Sequence, residues 1–189
     1  QKPPTLHVLQ GRAFIMQRLC HALVYLHSRE PRVVHADLKP HNVMIQMLDS
    51  VPRPKLLDFG LSGLVTRTAV LRGGTLEYMA PEVKSNPDSR PSPAVDVFAF
   101  GKMLLYMAKR QMHGASLSEN ELVAKTLLRK WTPVIERCLD DNPLNRPTAV
   151  AIHNEVWDGT APEWYMPLTS EPESVPSATR TAEESTLKQ

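Results

Sequence analysis

The chain has 189 residues, 42% hydrophobic and 22% charged, which is enough apolar content for one globular domain. Its formal net charge of +2 comes from dispersed Lys and Arg residues with no dense basic block, so nucleic acid is not expected as a partner. No signal-peptide pattern opens the chain, and the longest apolar stretch, Val97 to Met107, carries Lys102 and is too short to enter and cross a bilayer. Cys20 and Cys138 are isolated thiols without C-x-x-C spacing, which argues against a zinc site or disulfide scaffold and for two core residues. A soluble protein, cytoplasmic or otherwise intracellular, is the expectation.

From about Thr5 to Ser28, the apolar residues Ile15, Leu19, Leu23 and Leu26 recur at four- and three-residue steps, the stripe of a helix packed on one side. Pro31 stops it. Val33-Val34, Val43 to Ile45 and Lys55 to Leu57 read as short strands separated by turn residues that include Pro52 and Pro54. After Pro93, Ala94 to Met107 is apolar almost all round, as in a helix buried within a domain. Between Gln111 and Lys130 a further, short helix is expected, with a weaker pattern than its neighbours. Trp131 to Leu139 reads as an amphipathic helix with Val134, Ile135 and Cys138 inward, and Pro147 opens a last helix through Val156. From Asp158 onward, Pro162, Pro167, Pro172 and Pro176 interleave with Ser, Thr and Glu, a composition too polar to offset the entropy of ordering. A disordered tail is therefore expected over 158–189, in which Trp164, Tyr165 and Met166 form either a docking element or an apolar patch folding back.

Between the first two strands lies His35-Ala36-Asp37-Leu38-Lys39-Pro40-His41-Asn42, and Asp58-Phe59-Gly60 begins sixteen residues after Asn42. Asp37 can accept a proton, Lys39 can neutralise developing negative charge, and Asn42 and Asp58 offer the oxygen ligands a hard cation such as Mg²⁺ prefers. Such a set suits phosphoryl transfer. Asp-Phe-Gly alone is a common tripeptide, and His35 alone is most simply a packed histidine. The weight comes from the order of motifs, which continues with Gly74-Thr75-Leu76-Glu77-Tyr78-Met79-Ala80-Pro81-Glu82, then Asp96 to Gly101, then Asn145-Arg146-Pro147.

This series resembles the protein kinase family, and Asp37 to Asn42 resembles its serine/threonine branch. The resemblance implies a mainly α fold like the kinase C-terminal lobe, with two or three short strands carrying the catalytic and metal-binding loops. It also implies serine/threonine protein kinase activity of the intact protein, with ATP and Mg²⁺ (or Mn²⁺) and a protein substrate. Asp37, Lys39 and Thr75 would serve catalysis, Lys39, Asn42 and Asp58 would contact the nucleotide and its metal, and Asn42 and Asp58 would hold that metal. Asp96 would accept backbone N–H bonds from the loop of His35 to Asp37, and Glu82 would pair with Arg146. Residues 1–157 would be an incomplete kinase domain. No Gly-x-Gly-x-x-Gly and no Val-Ala-x-Lys strand precedes the first helix, so a small lobe is expected upstream and the chain is expected to be inactive alone.

Ala36 departs from the family, which usually has arginine there; the group that would grip a phosphorylated activation segment is missing. Thr66 and Thr68, beside Arg67 and Arg72, remain candidate modification sites. Two other functions compete: a pseudokinase-like or truncated interaction module, and a small-molecule phosphotransferase. Ala80-Pro81-Glu82 and Lys39-Pro40 argue against the second of these.

Overall fold

The apolar stripe of the first segment forms helix α1 (Leu6–His27), with Met16, Leu19, Cys20 and Leu23 turned inward at steps of three and four. The computed structural model describes residues 6–49, 51–65, 74–86, 89–112 and 119–157, with side chains described outside 6–10, 109–112 and 119–128. The tail expected over 158–189, including Trp164, Tyr165 and Met166, lies outside the described residues, as do Thr66 and Thr68.

Among the described residues four short strands follow α1, one more than the upper expectation: β1 (Val33–Val34), β2 (Val43–Leu48), β3 (Val51–Leu56) and β4 (Gly63–Leu64). They form two antiparallel pairs, β1 with β4 and β2 with β3. Pro52 and Pro54 are not turn residues but members of β3, opposite Met47 and Ile45. Two residues apart, they direct their missing N–H groups to the same side, and β3 pairs only with β2 among the described residues. The turn falls instead at Asp49, whose φ of 48° is left-handed.

A short helix α2 (Pro81–Ser85) leads to α3 (Pro93–Met112). Ser92 starts α3, its hydroxyl accepting the Ala94 N–H at 3.3 Å. Residues 95–101 of α3 are all buried, which explains the absence of a polar face. Helix α4 (Glu119–Cys138) begins well before Trp131 and carries Pro133 inside it. Proline costs a helix interior one hydrogen bond, and the burial of Trp131, Val134, Ile135 and Cys138 offsets that loss. Helix α5 (Ala149–Trp157) starts at Thr148 rather than Pro147, because the Thr148 hydroxyl accepts the Ala151 N–H at 3.1 Å.

The core joins α1, α3, α4 and α5, with Phe100 and Trp131 among its largest buried side chains. Gly101 lets α3 approach the end of α4: a Cβ there would stand 2.6 Å from the Cys138 Cβ. Burial pushes the Cys138 thiol up to about 12 and raises Cys20 further, consistent with inert core residues. No helix among the described residues is long and apolar enough to cross a membrane.

Candidate active site

The strand pairing brings two distant loops side by side. Chain runs from β1 through His35–Asn42 into β2, and from β3 through Leu57–Ser62 into β4; because β1 pairs with β4 and β2 with β3, both ends of the two loops are clamped together. The Leu57 N–H extends the β2–β3 ladder to the Asn42 carbonyl at 2.8 Å, and the Ser62 hydroxyl reaches the His35 carbonyl at 3.3 Å. His35 is fully buried between the loops. Its Nε2–H donates to the Leu57 carbonyl at 3.0 Å, its Nδ1 accepts the Asp37 N–H at 3.3 Å, and its ring lies 4.9 Å from that of Phe59.

A buried carboxylate holds the first loop from below. Asp96 Oδ2 accepts the His35 N–H at 2.8 Å and Oδ1 the Ala36 N–H at 2.9 Å. Ala36 takes a left-handed φ of 69°, which costs an alanine about 1–2 kcal/mol, so the loop needs such an anchor. His27, at the end of α1, adds a 2.9 Å contact to Asp96 Oδ2. This third partner has no motif of its own; its only sequence signal is a histidine closing a helix, where positive charge is favoured.

Asp37 is the centre of the site. Its Oδ1 accepts the Thr75 N–H at 3.0 Å and the Thr75 hydroxyl at 2.9 Å; its Oδ2 accepts Lys39 Nζ at 2.6 Å and Asn42 Nδ2 at 3.0 Å. Lys39 Nζ also reaches Thr75 Oγ1 at 2.6 Å, closing a ring of three side chains. Burial alone would raise the Asp37 carboxyl, but the bonds from Lys39 and Thr75 outweigh it and hold the group below the usual carboxylate range. Asp37 is therefore ionised at neutral pH. Thr75 arrives here because Gly74 takes a φ of 127° with the Ala36 carbonyl 3.3 Å from where its Cβ would be.

Asn42 spends its amide nitrogen on Asp37, donating also to the Asp37 carbonyl at 2.8 Å, which leaves its oxygen as the atom to offer a cation. Asp58 is exposed, at a left-handed φ of 59°, with Oδ1 accepting the Gly60 N–H at 3.1 Å. One carboxylate and one amide oxygen fit the preference of Mg²⁺ for hard ligands and few protein contacts. Beyond the loops, Arg146 grips Glu82 through two 2.7 Å bonds. All the sequence-predicted site residues except Asp58 are thus joined by hydrogen bonds, and Asp58 follows directly on the Leu57 that pairs with Asn42.

The protein kinase domain family matches residues 8–157. The chain belongs to that family. Among similar proteins, the L-type lectin-domain containing receptor kinase VI.2 of Arabidopsis thaliana is 46% identical over 50% of this chain. The serine/threonine-protein kinase CTR1 of Arabidopsis thaliana is 33% identical over 68% of it. The receptor-interacting serine/threonine-protein kinase 3 of Rattus norvegicus is 39% identical over 48%. The chain spans 14%, 17% and 20% of the lengths of these three relatives. In this kinase domain, the family's motif series and the hydrogen-bonded ring around Asp37 fall on the same residues.

Proposed function

We propose that the intact protein is a serine/threonine protein kinase, passing the terminal phosphoryl group of ATP to hydroxyls of a protein substrate, and that residues 1–157 are the large lobe of its catalytic domain. The observation that carries this reading is the convergence of Lys39, Thr75 and Asn42 on the Asp37 carboxylate. The names of two of the similar proteins support the serine/threonine assignment. The lobe assignment is supported by apolar side chains left bare at and beside the two loops, among them Met44, Leu57 and Phe59, which a second lobe would cover.

Asn42 and Asp58 would hold Mg²⁺, which supplies charge neutralisation at the phosphates when bound. Asp37, with a lowered proton affinity, is a poor base at neutral pH; its role is to orient the acceptor hydroxyl and to take its proton late, as the oxygen becomes acidic. To do so it gives up one of its four bonds, and Thr75 Oγ1 is the partner that most resembles a substrate hydroxyl. Lys39 then places its ammonium beside the transferring group, where negative charge spreads over the equatorial oxygens.

The test is Asp37→Asn in the full-length protein, with transfer from labelled ATP measured alongside the thermal melt. Transfer is expected to fall by about 10²-fold or more while the melt stays cooperative. A loss of less than about tenfold would remove Asp37 from the chemistry.

A further inference from the structure

Just before α2 the chain makes a tight turn from Thr75 to Met79, and its last two residues are pinned in different places. The Thr75 carbonyl accepts the N–H of Tyr78 at 2.9 Å and that of Met79 at 3.0 Å. Tyr78 is buried in the core shared by α1, α3, α4 and α5, whereas the half-buried Met79 packs against a second cluster made of Ala80, Val83, Val95 and Phe98. Ala36 packs against that same cluster from the catalytic loop.

The far end of Met79 reaches back to the start of the turn. A Cβ on Gly74 would stand 3.2 Å from Met79 Cε and 3.3 Å from the Ala36 carbonyl oxygen, so Gly74 is seated against both the methionine and the catalytic loop. The space left among Ala36, Thr75, Met79 and Val95 is about 10 Å³, room for one water at most. Thr75, next along, donates its N–H and its hydroxyl to Asp37 Oδ1. Ala36 carries no charge with which a phosphate on this segment could pair, so position 36 restrains the segment by contact alone. We infer that Met79 is a positioning residue: its side chain, wedged between the cluster of α2 and α3 and Gly74, holds the Thr75 turn on the Asp37 carboxylate.

Methionine suits the task, because an unbranched, flexible side chain follows an irregular gap that a stiff β-branched one does not span. Without its terminal atoms Gly74, the residue freest in φ, is released on that side, and Thr75 loses the restraint that aligns two donors on one carboxylate oxygen. Tyr78 stays in the main core, so the loss is local. The consequence for phosphoryl transfer rests on the function proposed above; the consequence for Thr75 does not.

The experiment is nuclear magnetic resonance on the full 189-residue chain, following the Thr75 amide proton, whose bond to a carboxylate gives a downfield resonance and slow exchange. In Met79→Ala the resonance should move upfield and exchange at least about tenfold faster, while the amides of α3 keep their protection. Met79→Leu, close in volume, should restore both. Should Met79→Ala melt too low to assay, Met79→Val keeps the packing near the Cβ, removes the reach to Gly74 and is expected to give the same change. In the full-length protein, Met79→Ala should lower kcat about tenfold and leave the KM for ATP unchanged. Thr75 exchange within about twofold of the wild type in the alanine or valine variant, or full transfer by Met79→Ala in a protein that Asp37→Asn silences, would overturn the inference.

Discussion

Replacing Arg146 with alanine tests whether one buried guanidinium joins three parts of this kinase domain. The Arg146 side chain is fully buried and Glu82 is 24% exposed. Two 2.7 Å bonds run to Glu82; further bonds reach the carbonyls of Ala94 at 3.0 Å, Asp140 at 2.8 Å and Asp141 at 3.4 Å, and the guanidinium lies 5.0 Å from the Phe98 ring centre. Removing one partner of a buried pair costs about 3–5 kcal/mol. Partial rehydration of Glu82 lowers that figure, while three carbonyls losing their donor raise it, so the middle of the range, about 4 kcal/mol, is expected. Glu82→Gln keeps the shape and leaves the guanidinium its carbonyls, but strips a fully buried charge of its counter-ion, for a cost of about 3 kcal/mol at the low end of the same range. The assay is urea unfolding followed by circular dichroism, with the midpoint shifting and the slope unchanged. The double variant should cost less than the sum of the two. A loss below about 1 kcal/mol for Arg146→Ala, or strict additivity in the cycle, would refute the reasoning.

Asp96→Asn places a nitrogen that cannot accept among three donors, so one of His35 N–H, Ala36 N–H and His27 Nε2 is orphaned; a loss of about 2–3 kcal/mol and faster amide exchange at His35 and Ala36 are expected, and unchanged exchange would count against the anchor. Gly101→Ala forces α3 away from Cys138, with overpacking exceeding the gain in helix propensity for a net loss of about 1–2 kcal/mol in the same urea assay. Because Ala36 cannot pair with a phosphate, replacing Thr66 and Thr68 together by alanine should change transfer by the intact protein little; a loss above about tenfold would show that another group reads the modification.

What the sequence discloses here follows from how local each signal is. The α1 stripe is a period within one helix, and α3 is legible because burial on every side leaves a run with no polar face. The Asp96 and Glu82–Arg146 contacts span 61 and 64 residues, beyond any periodicity, and were reachable only through a resemblance that supplies the partner. The contact of His27 with Asp96, and that of His21 with His153, had no such guide, since a histidine within or closing a helix carries no mark of its cross-chain partner. The β2–β3 hairpin was shortened because proline reads as punctuation; only the pairing reveals that both prolines sit where no ladder bond is needed. Helix α4 runs without a break from Glu119 through Pro133 to Cys138, joining two stretches that the local pattern presents as separate.

Those two prolines have a consequence for the molecule in solution. The hairpin bears Met44, Ile45, Met47 and Leu48 bare on its β2 side, the kind of sequence that recruits a neighbouring copy strand by strand. Pro52 and Pro54 deprive the outer margin of β3 of two successive donors, so an incoming strand finds no continuous ladder there. Growth of a fibre needs two open margins per copy, and this hairpin offers one at most.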